Sequence, residues 1–321
     1  MKQTKEPLEQ ATGTFVENIK MGSETPGYKS SPKDACRVLY DLQAAKVAKL
    51  PADIENLTIP VGLKGQVSVR IIRPAGNKEI LPVVMYFHGA GWILGDKDTH
   101  DRLIREIARG VNAAVVFVNF TLSPEAKYLV QIEEAYAATK YIAENGKELN
   151  LDASRLAVAG DSVGGNMAAA VSLLAKERGG PKIVYQVLFY PVTDVNFDTL
   201  PYRKYSTDFW HTHEEMKLFW ENYFPDKETL RQPTSFPLKA SADRLKGQPP
   251  ALIVIDENDM IRNAGEEYAH KLMQAGVDVV TVRYLGTIHD FVMLNLLGGT
   301  PAACSAIGLA NENLRNVFAR L

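Results

Sequence analysis

Gly160-Asp161-Ser162-Val163-Gly164 is the stretch on which the reading of this chain turns. Ahead of it, Leu156-Ala157-Val158-Ala159 is short and apolar, the pattern of a buried strand. Behind it, Gly165-Asn166-Met167-Ala168-Ala169-Ala170 opens a small-residue segment that reads as a helix. A strand, a sharp turn with a serine between two glycines, and a helix make a nucleophile elbow. Such a turn is too tight for side chains two places to either side of the serine. Glycine permits the backbone and the close strand–helix packing. The hydroxyl then points into the crevice at the carboxyl end of a sheet, and the Val163 amide, at the helix start, faces a developing oxyanion. A glycine-rich turn with an idle serine has the same five residues, so the test is whether the rest of the chain supplies a base, an acid and an oxyanion loop.

The chain has 321 residues, enough for one large α/β domain with a lid or for two domains. Hydrophobic residues make up 46% and charged residues 23%, with a formal net charge of -2. That balance argues against a nucleic-acid binder, which carries a basic excess. No apolar run reaches the ~18 residues that span a bilayer. Met1-Lys2-Gln3-Thr4-Lys5-Glu6-Pro7 lacks the apolar core of a secretory signal, so a soluble cytoplasmic protein is expected. Cys36 and Cys304 stand outside any ligand spacing and read as buried free thiols.

Residues 1–50 have helical character and break at Pro51, with a start signal at Ser31-Pro32-Lys33-Asp34. Ala35, Val38, Leu39 and Leu42 then define one apolar face. Two strands are expected around Gly62-Leu63-Lys64-Gly65, the second alternating Val67, Val69 and Ile71 with Ser68 and Arg70. From Pro82 onward, apolar strands at 83–87, 114–118, 156–159, 184–190, 251–255 and 279–285 alternate with helical stretches near 101–109 and 131–144, the helix opened by Gly165–Ala170, and a stretch near 264–275. That rhythm predicts an α/β fold with a mainly parallel, doubly wound central sheet. Residues 193–248 interrupt it. They hold Trp210 and Trp220, a capping box of Thr212 with Glu215, and Met216, Phe219, Trp220 and Tyr223 at helical spacing. This aromatic insertion reads mainly as packed core, and beside a catalytic sheet it also has the character of a lid, with the 31–50 helix as partner.

A serine hydroxyl needs a base within hydrogen-bond reach and an acid to orient that base. In an α/β-hydrolase the chain order is Ser, acid, His. Asp256, Glu257 and Asp259 follow the 251–255 strand. Asp259 is preferred because it stands far enough past the strand for a loop to turn it inward, whereas Asp256 abuts the strand and reads as a brace. His289, in Gly286-Thr287-Ile288-His289-Asp290-Phe291, alone among the six histidines fits both the order and a loop after a strand. His88-Gly89-Ala90-Gly91-Trp92 directly follows the 83–87 strand, and its small residues let backbone N–H groups approach a reacting carbonyl. Ala90, Gly91 and Val163 are the expected oxyanion donors, each worth about 2.7–4 kcal/mol in the transition state.

These motifs together resemble the hormone-sensitive-lipase family of α/β-hydrolases, in its bacterial esterase branch. The family's HGGG motif resembles His88-Gly89-Ala90-Gly91, and its GDSAGG motif resembles Gly160-Asp161-Ser162-Val163-Gly164-Gly165. Its D-P-L-R-D acid loop resembles Asp259-Met260-Ile261-Arg262-Asn263, which again selects Asp259, and its late H-G-F resembles His289-Asp290-Phe291. Alanine replaces glycine at 90, Asp290 replaces the glycine beside the base, and the family's Y-R-L-A-P-E-H-P-F-P survives only in part at 120–129. Asp290 either biases His289 toward protonation or faces water.

The resemblance implies an α/β-hydrolase core of residues 51–194 and 246–321, with a helical cap built from 1–50 and 195–245. It implies a serine carboxylesterase for short- to medium-chain esters, with Ser162 as nucleophile, His289 as base and Asp259 as orienting acid, and with no cofactor or metal. Trp92, Ile93, Tyr190, Phe209 and Trp210 are placed at the acyl or alcohol pocket. A small-molecule ester is the expected partner, without nucleic acid or membrane, and edge strands or cap surface leave room for a homodimer. Amide deacetylation or lactone hydrolysis would use the same triad. A non-catalytic ligand binder on this fold is the rival of another class, and the presence of His289 argues against it.

Overall fold

The computed structural model describes residues 6–22, 32–196, 198–205, 210 and 212–321, so Ser31 and Phe209 lie outside the described residues. Two helices, α1 (Gln10–Gly22) and α2 (Pro32–Gln43), precede the hairpin of β1 (Ala52–Ile59) and β2 (Val67–Pro74). The alternating part follows: β3 (Leu81–Phe87), α3 (Asp101–Val111), β4 (Ala114–Asn119), α4 (Val130–Asn145), β5 (Leu151–Asp161), α5 (Val163–Glu177) and β6 (Gln186–Phe189). Three helices, α6 (Leu200–Tyr205), α7 (His213–Tyr223) and α8 (Ala242–Leu245), lie between β6 and β7 (Ala251–Asn258). The chain closes with α9 (Arg262–Gln274), β8 (Val279–Ile288) and α10 (Pro301–Phe318).

The strands form one sheet in the order β1-β2-β4-β3-β5-β6-β7-β8. β2 runs antiparallel to β1 and β4, and every pair from β4 through β3 to β8 is parallel. This is the α/β-hydrolase fold expected from the strand–helix rhythm. β3 is buried at all seven positions, as an apolar run covered on both faces must be. Each valine buried there contributes about 1.5–3 kcal/mol of transfer free energy. β2 keeps its alternation, with Ser68 exposed and Arg70 half-buried between buried Val67, Val69 and Ile71.

From β3 the chain winds through α3 to β4 on one side, and from β5 through α5 to β6 on the other. The winding direction therefore reverses between β3 and β5. A crevice opens at the carboxyl ends of the strands at such a switch point. Register places Phe87 beside Gly160, so the loops that leave β3 and β5 emerge side by side.

Three details depart from the sequence reading. Val38 is 47% exposed, so the inner face of α2 consists of buried Leu39, half-buried Ala35 and Leu42, and the buried amide of Gln43. That amide donates to Thr99 O and Met293 O, which a purely apolar pattern does not reveal. Cys36 is only half-buried and Cys304 is exposed, so the two free thiols are not core residues. Helix α10 had no counterpart in the reading. Thr300 caps it by accepting from Ala303 N at 3.2 Å, Pro301 stands in its first turn, and Ala303, Ala306, Ile307, Ala310 and Leu314 bury one stripe. The capping box of α7 is present in both directions between Thr212 and Glu215, and Met216, Phe219, Trp220 and Tyr223 are buried.

Packing around the turn after β5 has a direct test. A Cβ added to Gly164 would overlap the Phe87 carbonyl oxygen, whereas one on Gly308 of α10 meets nothing within 4 Å. Gly164→Ala is expected to lower unfolding stability by about 1–3 kcal/mol or more in urea titrations. Gly308→Ala is expected to be neutral or stabilising by up to about 1 kcal/mol. Equal stabilities for the two variants would show that the strand–helix approach is not the constraint.

Candidate active site

Ser162 stands between the last residue of β5 and the first of α5, with φ 54° and ψ -119°. For a residue with a Cβ this backbone costs of order 1–3 kcal/mol and persists only where its surroundings over-determine it. They do so here. Ser162 N donates to Phe189 O at 2.9 Å, and Ser162 O accepts from Val192 N at 3.1 Å and Asn166 N at 3.2 Å. A Cβ on Gly160 would run into the Gly164 carbonyl, which is why both flanking positions are glycine.

His289 follows the end of β8. The turn into it begins at Gly286 (φ 71°), whose N–H is held by the Glu257 carboxylate at 2.8 Å. Across from it, the β7–β8 register slips between Asp256 and Asn258. Such a bulge re-aims the strand end, and Asn258 Nδ2 pins it by donating to Thr287 O at 3.1 Å. The result is a buried chain of contacts: Asp259 Oδ2 to His289 Nδ1 at 2.8 Å, and His289 Nε2 to Ser162 Oγ at 2.8 Å. A carboxylate only accepts, so Nδ1 carries the proton and Nε2 is left to accept from the serine hydroxyl. Asp259 Oδ1 also accepts from Ile261 N at 3.0 Å. Asp256 lies farther off, 3.9 Å from Nδ1.

Electrostatics sharpens this geometry. Burial alone would lower the His289 pKa, but Asp259, Asp290 and Asp256 outweigh it and raise it well above the ordinary histidine value. For Asp259, burial acts upward and is outweighed by His289 and the hydrogen bonds it accepts, so its pKa falls below the usual carboxylate value. Asp256 moves the other way, well up, through burial first and the Asp259 charge second. Asp290 does not face water. It is 4% exposed, its Oδ1 is 3.7 Å from His289 Nε2, and its Oδ2 accepts from Trp210 Nε1 at 2.9 Å.

The loop after β3 turns on three consecutive left-handed residues, Ala90 (φ 72°), Gly91 (φ 68°) and Trp92 (φ 60°). Alanine at such a φ costs roughly 1–2 kcal/mol that glycine would not. Among the described residues, Ala90 N and Gly91 N donate to no backbone carbonyl. Val163 N belongs to the first turn of α5, whose amides have no partner within the helix. The loop is anchored by Asp161, a contact that motif reading did not find. Asp161 Oδ1 accepts from Gly89 N at 3.1 Å and Tyr86 Oη at 2.7 Å, and Oδ2 lies 3.3 Å from His100 Nε2. His88 is a packed residue. Its ring stacks on Phe120 at 4.3 Å and Phe117 at 5.2 Å, and burial, with His100 beside it, lowers its pKa to about 3.

The other expected pocket residues separate. The Tyr190 ring lies 4.9 Å from the His289 ring. Trp210 reaches the site through Asp290 and packs on Phe15 of α1 at 5.6 Å. Trp92 is fully buried, and its indole stacks on Tyr223 of α7 at 4.0 Å. Ile93 is buried as well. Glu257, Asn258 and Asp161 were not singled out as supports, because each acts through partners distant in sequence: Gly286 for Glu257, Thr287 for Asn258, and Gly89, Tyr86 and His100 for Asp161.

A sequence profile of the alpha/beta hydrolase fold matches residues 84–293. Over 303 residues the chain is 39% identical to an Acanthamoeba polyphaga mimivirus protein named as an alpha/beta hydrolase, covering 94% of this chain and 86% of that one. It is 37% identical over 259 residues to the carboxylesterase NlhH of Mycobacterium tuberculosis, covering 79% and 80%. Among solved structures, a thermostable esterase from Pseudomonas putida ECU1011 is 44% identical and superposes with a TM-score of 0.96 over 98% of this chain and 99% of its own.

The Asp161 anchor generates a pH-dependent expectation. Burial pulls the His100 pKa down, but the charge and hydrogen bond of Asp161 overcome it, and the net shift is upward. A raised folded-state pKa stabilises fully below the unfolded value of about 6.5, and that contribution fades as pH rises through the folded pKa. Asp161→Asn is therefore expected to lose about 3–5 kcal/mol near pH 6, as when one partner of a buried pair is removed. The gap to wild type should narrow as the pH is raised toward 9 in urea denaturation. A gap that widens with pH would refute the ion pair.

Proposed function

Since this chain belongs to the hormone-sensitive-lipase-like α/β-hydrolase family, we propose that it is a serine carboxylesterase that works through an acyl-enzyme on Ser162. One observation carries the reading: the buried sequence of 2.8 Å contacts from Asp259 through His289 to Ser162. His289 Nε2 removes the hydroxyl proton as Oγ attacks the ester carbonyl, and Asp259 holds the Nδ1–H tautomer and balances the imidazolium. The N–H groups of Ala90, Gly91 and Val163 receive the oxyanion, with the N-terminal end of α5 behind Val163. His289 then protonates the leaving alcohol, and water repeats the steps on the acyl-enzyme. No cofactor enters this scheme.

Residues 1–50 and 195–245 act as a cap on the core of 51–194 and 246–321. Contacts across that division support the assignment. Trp210 bonds Asp290, Tyr223 stacks on Trp92, and Glu9 N donates to Gly286 O at 2.9 Å. A Cβ on Gly91 would press into the Phe219 ring, so the cap side of the oxyanion loop is already full. So closely covered a site supports short- to medium-chain esters. That the similar proteins include named esterases supports ester rather than amide or lactone cleavage by this triad. Among the described residues no helix is long and apolar enough to cross a membrane. Val280 and Leu285 on edge strand β8 are exposed, which supports pairing of two copies.

A p-nitrophenyl ester series from C2 to C16, run on wild type and Ser162→Ala, tests this function. Turnover is expected to peak at short acyl chains and to fall by about 10⁴–10⁶-fold in the variant. Full turnover by Ser162→Ala would sink the mechanism.

A further inference from the structure

The mechanism gives the fully buried carboxyl group of Asp256 no task. Asp256 pairs with Tyr284 across β7 and β8, just before the bulge that turns Asp259 toward His289. It has no exposed surface. One side-chain atom each of Asp256, Asp259 and His289 lies within 4.8 Å of the other two. His289 Nδ1 is occupied by Asp259 at 2.8 Å, and at 3.9 Å it is beyond hydrogen-bonding distance of Asp256. Among the described residues no N–H or hydroxyl group donates to either oxygen of Asp256.

An ionised carboxylate in that position would be buried without a donor and beside a second carboxylate, a doubly unfavourable arrangement. Two carboxyl groups that share one proton remove both penalties. The other titratable groups around it do not supply a substitute. Asp259 stands on the loop after β7, His289 and Asp290 follow β8, Asp161 ends β5, and the Tyr190 phenol follows β6. His289 is the one cation-forming group among them, and it is committed to Asp259.

We propose that Asp256 donates its carboxyl proton to the Asp259 carboxylate and thereby acts as a positioning residue for the Asp259–His289 couple. This rests on the Ser162 reading of the site. Asp259 then accepts from Asp256 as well as from Ile261 N and His289 Nδ1. The extra donor fixes the carboxylate plane and tempers its pull on the imidazolium, so His289 returns to its free base more readily.

Two variants test this, with the His289 titration midpoint read by imidazole NMR, which does not depend on turnover. Asp256→Asn keeps a neutral donor, so the midpoint and kcat/KM are expected to stay near wild type. Asp256→Ala removes the donor, so the midpoint is expected to rise by about one unit. Below the midpoint, that leaves roughly tenfold less free base and a matching drop in kcat/KM. A fall in the midpoint of about one unit or more in Asp256→Asn would mean that Asp256 is charged, and would overturn the proposal. So would an unchanged midpoint in Asp256→Ala. Should the alanine variant fail to fold, the asparagine variant alone decides. Ser162→Ala, assayed in parallel, isolates the other premise: if it turned over esters like wild type, the Ser162 reading would fail while the NMR midpoints still judged Asp256.

Discussion

Everything at this site depends on how closely β3 and β5 come together at their carboxyl ends. Phe87 lies beside Gly160, and the turn after Gly160 folds back so tightly that Gly164 has room for no side chain against the Phe87 carbonyl. That approach forces Ser162 into a backbone few residues adopt, and hydrogen bonds from the loops after β6 and within α5 keep it there. It also sets the loop after β3 directly beside Ser162. The same closeness lets one side chain, Asp161, brace the neighbouring loop through Gly89 and Tyr86. The strain in the turn and the order of the site are two aspects of one packing constraint.

The charges around His289 follow a second logic. Asp256, Asp259 and Asp290 converge on one imidazole in a region closed to water. A low-dielectric site tolerates this only when protons and donors are shared out among the acids. Asp259 takes the direct contact because the β7 bulge turns it inward, Asp290 is held by Trp210, and Asp256 is left behind the pair. Three chemically identical side chains thus reach three different environments through backbone placement alone.

Much of this was legible in the chain. Buried strands showed as unbroken apolar runs, and the elbow showed as glycines at fixed offsets from a serine. Chain order together with a place in the loop after a strand singled out His289, and distance past the strand favoured Asp259 over Asp256. What stayed hidden depends on partners distant in sequence. Gln43 can join the otherwise apolar inner face of α2 because its amide finds carbonyls at Thr99 and Met293. Nothing local to Asp161 announces its hold on Gly89, and the fate of Asp290 rests on Trp210, eighty residues earlier. Trp92 looked like a pocket residue by position, yet its indole lies flat against Tyr223. Local pattern reports period and turn chemistry, whereas the direction a side chain takes is decided by whichever element packs against it.

The most direct test of the central claim is covalent labelling with a fluorophosphonate, followed by mass spectrometry of the tryptic digest. Phosphonylation forms a bond from a serine oxygen to phosphorus with loss of fluoride, and only a serine activated by a neighbouring base reacts quickly. The account predicts a single adduct on the peptide spanning residues 156–176, at Ser162. An adduct on a different serine, or a folded protein that takes up no label, would contradict it.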